Sequence, residues 1–379
     1  MRTFYEFFSG GGMARAGLGE NWECLFANDF SQKKVDTYIA NWGDKDIVCD
    51  DVSNITTHQL EGQADLAWAS FPCQDLSLAG SGAGLSGERS GTFWGFWKLI
   101  TSLRRENRAP KVVILENVCG ALTSHEGKDF AAICSALNEA EYNFGAIIID
   151  AINFLPQSRP RLFIIATDTS VDLDKSILSE SFDPVWHSKS IVSAFNKLPI
   201  EQKPKWKWWN LPHPQERRLS FADIIEKDPK SVKWHSEEET QKIMGMMSDL
   251  HIKKVRSAQA SGDLKVGSIY KRTRPDGHGG RIQRAEIRFD DVAGCLRTPS
   301  GGSSRQLIMI VEGSKIRTRL LSTREAARLM GLPEQYKLPE KYNEAYHLAG
   351  DGVAVPVVEY LSKNIVEKLI PLSRNRKAA

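Results

Sequence analysis

The chain has 379 residues, enough for about two domains of ordinary size. Hydrophobic residues make up 41% and charged residues 26%, a composition typical of globular proteins that form a core without disulfides or structural metals. The net charge of +3 is too small to indicate nucleic-acid binding by itself, so any basic surface has to be local.

The six cysteines indicate neither a metal site nor a disulfide framework. They lie at positions 24, 49, 73, 119, 134 and 295, with no CxxC pair and no even spacing, so we predict no bound metal. Reduced thiols are typical of cytoplasmic proteins, and we expect a cytoplasmic location. The apolar stretch that opens the chain is too short for a signal peptide or a membrane span, so we expect no membrane association.

Short apolar runs alternate with longer amphipathic stretches in the first part of the chain. The apolar runs predict buried strands at Thr3–Phe8, Glu23–Ala27, Ile47–Cys49, Leu66–Ala69, Val112–Leu115, Ala146–Ile149 and Leu162–Ala166. Helices are predicted at Met13–Leu18, Ser31–Trp42, Thr92–Glu106 and Phe130–Glu141. Strands that alternate with helices predict an α/β fold with a doubly wound, mostly parallel sheet, buried on both faces.

The alternation ends near Asp168. Residues 170–300 contain scattered tryptophans, several prolines and the polar stretch Lys271–Arg284, and glycines and serines follow at Pro299–Ser304. This composition predicts a second, irregular domain inserted into the first. Helical order returns at Ser322–Met330, where a capping box precedes an apolar stripe, and again at Val357–Ile370.

A glycine-rich turn follows the first predicted strand. Ser9, Gly10 and Gly12 lie between that strand and the helix Met13–Leu18. Such a turn lets a ligand approach the backbone closely and meet the N–H groups of the helix. Alone it indicates little, since a tight turn without a ligand has the same sequence.

Acidic residues end the next two predicted strands. A carboxylate at Asp29 can accept both hydroxyls of a ribose, and Phe30 beside it can stack on an adenine ring. Asp51, followed by Val52, can accept the adenine amino group. Two carboxylates would repel a pyrophosphate, so the pattern favours a nucleoside cofactor with little or no phosphate. The alternative for each acid is a helix N-cap.

A cysteine, an acid and two arginines are expected at one edge of the sheet. Cys73 follows the fourth strand, and the proline before it and the loop after it expose the thiol, although most cysteines are structural. Glu116 ends the fifth strand, while Arg159 and Arg161 precede the last. A thiol, an acid and guanidinium groups together indicate nucleophilic attack on a ring carbon that needs electrophilic help.

The ordered motifs of the chain resemble those of the DNA cytosine-5 methyltransferases of the prokaryotic restriction-modification type. They are Phe8-Ser-Gly10, Phe71-Pro-Cys-Gln74, Arg89-Ser-Gly91, Glu116-Asn-Val118, Gln157-x-Arg-x-Arg161, Arg319–Leu329 and Gly350–Val357. The resemblance covers about 1–168 and 317–370. Two departures stand out: Gly12-Met13 lies where two glycines are usual, and Gly350-Asp-Gly352 where Gly-Asn and a small residue are usual.

The resemblance implies a Rossmann-like fold that depends on S-adenosylmethionine. Residues 1–170 would form the catalytic and cofactor-binding domain, 171–315 an inserted target-recognition domain, and 316–379 a C-terminal segment that returns to the catalytic domain. The implied reaction is methyl transfer to C5 of a cytosine flipped out of a specific duplex DNA sequence. The loop Gly80–Gly87 would close over the DNA.

The resemblance also implies catalytic roles. Cys73 would add to C6 of the cytosine and form a covalent adduct that makes C5 nucleophilic. Glu116 would bind N3 and the exocyclic amine. Arg161 would contact O2 of the base, and Arg159 would help to hold Cys73 and the flipped nucleotide.

The resemblance also implies which residues bind the cofactor and the DNA. The implied cofactor contacts are Phe8, Ser9, Gly10, Gly12, Asp29, Phe30, Asp51, Val52, Pro72, Asp351 and Val353. For Asp351, a cofactor contact and a cap that points away both stay open. The expected DNA contacts are Gln74, Ser77, Arg89, Lys271, Arg272, Arg274, Arg281, Arg284, Arg297 and Arg305. A solvated surface with scattered salt bridges is the alternative for each of these arginines.

Three other functions stay open. An RNA-modifying relative that acts on tRNA is disfavoured by the long region 170–317, because such relatives carry a short one. A DNA-binding repressor with an inactive site is disfavoured by the presence of Cys73, Glu116 and Arg161, and an NAD oxidoreductase by the acidic strand ends. We expect a stand-alone monomer that acts on double-stranded DNA, with a separate restriction endonuclease as a further partner.

Overall fold

The computed structural model describes residues 1–72, 91–275, 280–298 and 305–371. Contacts divide the chain into two compact units. The first unit comprises Met1–Asp150, Pro160–Pro214 and the chain from Val353 onward, and the second comprises Ala151–Arg159 and Gln215–Gly352. These units are defined by contacts, so the division by role at residues 170 and 315 stays a prediction.

The strands of the described residues fall into three sheets. They are β1 (Arg2–Phe7), β2 (Trp22–Asp29), β3 (Ile47–Cys49), β4 (Leu66–Ala69), β5 (Val112–Val118), β6 (Tyr142–Asp150), β7 (Pro160–Asp168), β8 (Leu178–Ser179), β9 (Trp208–Trp209), β10 (Leu264–Pro275), β11 (Arg281–Arg288), β12 (Leu307–Glu312) and β13 (Lys315–Leu320). The sheet orders are β3-β2-β1-β4-β5-β7-β6, β11-β10-β12-β13 and β8-β9.

The helices of the same residues lie between and after these strands. They are α1 (Met13–Leu18), α2 (Gln32–Trp42), α3 (Thr92–Arg105), α4 (Lys128–Glu139), α5 (Lys189–Lys197), α6 (Phe221–Ile224), α7 (Glu237–Gly245), α8 (Asp249–Ala260), α9 (Thr323–Leu329), α10 (Tyr342–Asp351), α11 (Val355–Leu361) and α12 (Glu367–Leu369), with a π-helical turn at Ser362–Val366. Within the described part of the chain, a helix able to span a bilayer does not occur.

The seven-stranded sheet of the first unit confirms the predicted doubly wound α/β fold. Strands β1 to β5 pair in parallel, while β7 runs antiparallel between β5 and β6. The strand order reverses between β1 and β4, and ligands of such sheets bind at the carboxyl ends around this switch point. Helices cover the sheet, and the side chains of β4 are buried throughout, as its continuous apolar run predicts.

Strand β6 begins four residues earlier than the predicted start at Ala146. The extra residues pair with β7 up to Tyr142, which lies opposite Asp168. The ring of Tyr142 is buried and lies beneath the Arg104 guanidinium, whose carbon is 4.6 Å from the ring centre. Packing against α3 therefore extends the strand beyond its most apolar stretch.

The second unit is more regular than the sequence predicts. Its four-stranded sheet is antiparallel throughout, and a core on that sheet includes Ile243 of α7, Val255 and Ala258 of α8, and Met247 between the two helices. The predicted capping box is confirmed: Ser322 and Glu325 cap α9 reciprocally. Basic and other polar residues predominate in the outer halves of β10 and β11, so apolar alternation does not mark these strands along their whole length.

Candidate active site

The turn after β1 presents backbone to open space. Phe8 has a left-handed conformation with φ of 56°, which costs a residue other than glycine about 1–3 kcal/mol and is typical of functional sites. The N–H of Ser9 donates to the Asn28 carbonyl at 2.9 Å. The Ser9 hydroxyl is buried and has no hydrogen-bond partner among the described residues. A Cβ added to Gly10 would meet nothing within 4 Å. The turn thus combines an unsatisfied polar group with free space.

Close packing explains the departure at Gly12-Met13. Gly12 has φ of 77°, and a Cβ there would lie 2.4 Å from Nε1 of Trp42. That indole N–H donates to the Gly11 carbonyl at 3.0 Å and so fixes the turn against α2. Met13 is already the first residue of α1 and is buried. This turn therefore requires glycine at position 12 and accommodates an apolar side chain at position 13.

The Asp29 carboxylate joins two loops at the carboxyl ends of β1 and β2. One oxygen accepts the N–H of Gly10 and the other the N–H of Ser31, each at 2.9 Å. The Asp29 residue is 3% exposed, whereas the neighbouring Phe30 is 67% exposed. Each carboxylate oxygen can accept a further hydrogen bond. The structure thus places a fixed carboxylate and an accessible aromatic ring side by side in the chain.

Asp51 follows β3 and has the capping role that the sequence left open. Its Oδ1 accepts the N–H of Ser53 at 2.8 Å and caps the short helical turn Val52–Asn54. The Asp51 side chain is exposed and Val52 is buried. Asn28 donates to the Asp50 carbonyl at 2.8 Å, which ties the ends of β2 and β3 together. A cofactor contact by Asp51 stays a prediction.

The segment that precedes the predicted nucleophile is anchored. Cys73, Gln74, Ser77, Arg89 and the loop Gly80–Gly87 lie outside the described residues. Phe71 is buried against Phe93, with ring centres 5.5 Å apart, and Pro72 after it is partly exposed. Asn117 donates a long hydrogen bond of 3.5 Å to the Phe71 carbonyl. Sequence reasoning quoted Asn117 within a motif but gave it no role, although its place at the end of β5, beside β4, was an available signal.

The predicted acid and one predicted arginine meet at the same edge of the sheet. Arg161 lies on β7 opposite Val118 of β5. Its Nε is 3.2 Å from Oε1 of Glu116, and the two side chains are 14% and 7% exposed, respectively. Arg161 Nη1 also donates to the Pro160 carbonyl at 3.0 Å. A carboxylate acceptor and guanidinium donors are therefore held together and nearly shielded from water.

Arg159 has a different environment, within the second unit. The residue is 1% exposed. Its Nη2 donates to the carbonyls of Gly350 and Gly352, both at 2.7 Å, and its Nη1 donates to the Leu296 carbonyl at 3.1 Å. Gln157 is also buried and binds the Leu329 carbonyl and the Leu296 N–H, at 2.6 and 3.2 Å. Sequence reasoning gave Gln157 no role, since its partners are far away in the chain.

The two predicted cofactor residues of the last motif differ in exposure. Asp351 is the last residue of α10, is exposed, and accepts a hydrogen bond from the Thr298 hydroxyl at 2.7 Å. Val353 belongs to the first unit and is buried. The structure thus gives Asp351 a protein partner, while its contact with a cofactor stays a prediction.

Most of the predicted DNA contacts of the variable region lie on one hairpin. Lys271, Arg272, Arg274, Arg281 and Arg284 belong to β10 and β11. Arg272 lies opposite Arg284, and both Arg272 and Arg274 pair with Glu286, at 3.5 and 2.6 Å. Elsewhere Arg297 is exposed, whereas Arg305 is partly buried and donates to Asn343 at 2.7 Å. The hairpin therefore carries a local basic surface with some internal charge pairing.

Comparisons with known proteins agree with this arrangement. The family model for C-5 cytosine-specific DNA methylase matches residues 2–367. The chain is 25% identical over 377 residues to Type II methyltransferase M.HhaI of Haemophilus parahaemolyticus, covering 97% of this chain and 94% of that protein. It is 26% identical over 387 residues to Type II methyltransferase M.HpaII of Haemophilus parainfluenzae, covering 97% and 90%.

Solved structures share the fold. The S. pombe Dnmt2 methyltransferase superposes with a TM-score of 0.60 at 18% identity, covering 98% of this chain and 99% of the other. Because the family model spans nearly the whole chain, the protein belongs to the C-5 cytosine-specific DNA methylases and is a DNA cytosine-5 methyltransferase.

Proposed function

We propose that the protein transfers a methyl group from S-adenosylmethionine to C5 of a cytosine flipped out of a specific duplex DNA sequence, through a covalent adduct with Cys73. The observation that carries this proposal is the Glu116–Arg161 pair at the carboxyl end of β5, next to the strand that leads to Cys73. A shielded acid and a guanidinium suit the binding of a pyrimidine ring, and the predicted Cys73 nucleophile would supply the thiolate that attacks it.

The residues at the ends of β1, β2 and β3 fit a nucleoside cofactor. The free space at Gly10 and the unsatisfied Ser9 hydroxyl offer a place and a polar partner for it. The exposed Phe30 ring suits an adenine face, and the remaining lone pairs of Asp29 suit ribose hydroxyls. Carboxylates favour a cationic sulfonium over a phosphate. When bound, S-adenosylmethionine supplies the electrophilic methyl group.

The base-binding roles follow from the donor and acceptor pattern of cytosine. Glu116, when protonated, can donate to N3 and can also accept from the exocyclic amine. Arg161 can donate to O2 from a guanidinium that Glu116 already orients. These bonds strengthen as charge develops on the ring during thiolate attack, so they stabilise the transition state more than the ground state.

The chemical step balances without any further reactant. The Cys73 thiolate forms a bond to C6, and the electron pair of the C5–C6 bond then takes the methyl group at C5. Loss of the C5 proton to a base re-forms the C5–C6 double bond and expels the thiolate. The products are 5-methylcytosine, S-adenosylhomocysteine and one proton.

The hairpin of β10 and β11 is the element that we assign to DNA reading. A two-stranded ribbon fits the major groove, and arginines on it can bind phosphates or guanine edges. Since the named relatives are Type II methyltransferases, we infer that this enzyme is the modification partner of a separate restriction endonuclease.

The test is transfer of a tritiated methyl group from S-adenosylmethionine to mixed-sequence duplex DNA, with mapping of the modified base. Incorporation at cytosine C5 within one short sequence is the expected result. A parallel reaction with tRNA separates the RNA alternative. Label in tRNA alone, or no label despite binding of S-adenosylhomocysteine and DNA, would overturn the proposal.

A further inference from the structure

We propose that Arg159 is a positioning residue that holds the segment Gly350–Gly352 in the conformation that binds the cofactor, and that it does not contact the flipped base. This inference rests on the proposed function, because the cofactor role of the segment is part of it. It reassigns an arginine that sequence reasoning gave to the nucleotide.

The first observation is the hydrogen bonding of the guanidinium itself. Nη2 bridges the carbonyls of Gly350 and Gly352 at 2.7 Å each. Nη1 donates to the Leu296 carbonyl at 3.1 Å and approaches Sγ of Cys295 at 3.4 Å. A planar guanidinium can join several carbonyls in fixed directions, which an ammonium on a flexible stem cannot do. Both Nη groups are thus directed at two segments of the backbone.

The second observation does not involve Arg159. A Cβ added to Gly350 would lie 3.1 Å from the carbonyl carbon of Arg297 and from the nitrogen of Thr298. Contacts of this length are tighter than most Cβ contacts, so a larger residue at position 350 would push the two backbones apart by a few tenths of an ångström. The Thr298 hydroxyl then donates to Asp351 at 2.7 Å. Backbone packing and a side-chain bond therefore join the same two segments.

The third observation explains why Arg159 is in the right place. Ser158 donates to the Ala293 carbonyl at 3.0 Å, and Ala293 donates to the Pro156 carbonyl at 2.7 Å. Gln157 accepts from the Leu296 N–H at 3.2 Å. The chain around Arg159 thus runs alongside residues 293–296, and the guanidinium reaches Gly350–Gly352 from that ladder.

The consequence concerns the cofactor and not the base. Loss of the guanidinium leaves the buried Gly350 carbonyl and the partly buried Gly352 carbonyl without this donor, and we expect the segment then to adopt other conformations. Cofactor binding then has to restore the original conformation, which weakens affinity. Arg161, two residues further on, belongs to the site for the base instead. The two arginines of one motif are therefore expected to differ in which substrate they affect.

The experiment compares Arg159→Lys with Arg161→Lys in the full chain. Titration calorimetry with S-adenosylhomocysteine is expected to show about tenfold weaker binding for Arg159→Lys and unchanged binding for Arg161→Lys. Kinetics should show a raised KM for S-adenosylmethionine in Arg159→Lys, with the KM for DNA unchanged. Arg161→Lys should lose kcat. Hydrogen exchange of the cofactor-free Arg159→Lys protein should be faster at residues 350–352.

Normal S-adenosylhomocysteine affinity in Arg159→Lys, together with a raised KM for DNA, would overturn the inference. Where Arg159→Lys does not fold, Gly350→Ala decides, because it displaces the same segment without altering the guanidinium. Gly350→Ala is also expected to bind S-adenosylhomocysteine more weakly. Wild-type affinity in this variant would contradict the inference. A wild-type protein that binds neither S-adenosylhomocysteine nor DNA would instead refute the proposed function.

Discussion

Each compact unit contains a carboxylate–guanidinium pair, and the two pairs differ in burial and in hydrogen bonding. In the second unit, Arg319 and Glu325 are fully buried and meet through two hydrogen bonds, at 2.6 and 2.7 Å. The Glu325 oxygens also accept the N–H groups of Glu226 and Ser322, both at 2.7 Å. In the first unit, Glu116 and Arg161 meet at 3.2 Å and keep 7% and 14% exposure.

We interpret the pair in the second unit as structural and the pair in the first unit as part of the proposed site for the base. Full burial with additional backbone bonds on the carboxylate suits a role in holding α9 and β13 together. Partial exposure at the carboxyl edge of a doubly wound sheet suits binding of a ligand between acid and guanidinium. Under the proposed function, we therefore expect the same two side-chain types to serve stability in one unit and chemistry in the other.

The largest expected effect is on stability, from Glu325→Gln. Removing the charge leaves a buried guanidinium without its counterion, which costs about 3–5 kcal/mol. Urea denaturation should show an earlier midpoint for the transition of the second unit. The matched control is Glu334→Gln, which removes the partly exposed pair with Arg328 and should cost no more than about 1 kcal/mol. Equal urea midpoints for Glu325→Gln and Glu334→Gln would contradict the structural role of the buried Arg319–Glu325 pair.

The second effect is on catalysis, from Glu116→Gln. Loss of a group that stabilises charge in the transition state is expected to lower kcat about 10²- to 10³-fold. Single-turnover methyl transfer at saturating DNA and cofactor measures this step. Glu106→Gln, a change at an exposed acid of the same unit, should leave kcat unchanged. A wild-type kcat in Glu116→Gln would show that Glu116 does not stabilise the transition state.

The third effect is a pH dependence from Glu6, a buried acid on β1. Burial raises the pKa of the Glu6 carboxyl from 4.5 to about 8. The folded protein therefore keeps a proton that the unfolded chain releases, so stability falls as the pH rises from about 4.5 to about 8. Urea denaturation should therefore give Glu6→Gln a higher free energy of unfolding than wild type at pH 9 and the same free energy near pH 4. Parallel pH profiles would contradict this assignment.

The smallest effect is on DNA affinity, from Arg274→Ala on the hairpin. Loss of one phosphate contact should weaken DNA binding by about 1 kcal/mol. It should also reduce the slope of log K against log salt concentration by about one unit. Fluorescence anisotropy at several salt concentrations measures both quantities. Lys254→Ala on α8 is the control and should leave both unchanged. A larger loss of DNA affinity in Lys254→Ala than in Arg274→Ala would indicate that the DNA binds another surface.

The first unit could be predicted closely from the sequence, because its signals are local. Apolar runs mark the strands. Because β1 and β2 pair in parallel, the turn at Gly10 and the acid at Asp29 lie at the same edge of the sheet. The structure brings Gly10 and Asp29 within hydrogen-bond distance for that reason. The meeting of Glu116 and Arg161 likewise follows from their positions at the ends of adjacent strands.

The second unit resisted prediction because its contacts join distant parts of the chain. Arg159 binds Gly350, 191 residues away, and no local pattern marks that partner. The β10–β11 hairpin has no sustained apolar alternation, since Arg272 and Arg274 project beyond the core. In the first unit, Asp51 shows a different limit, because a helix cap and a ligand contact require the same residue type at the same place.

The most direct test of the covalent mechanism uses duplex DNA that contains 5-fluorocytosine. Fluorine at C5 cannot leave as a proton does, so the adduct should persist after methyl transfer and survive denaturation. We expect one protein–DNA adduct per modified site, with the peptide that contains Cys73 carrying the added mass, and none with Cys73→Ser. Normal methylation of unsubstituted DNA without any such adduct, or an adduct at another residue, would contradict the account.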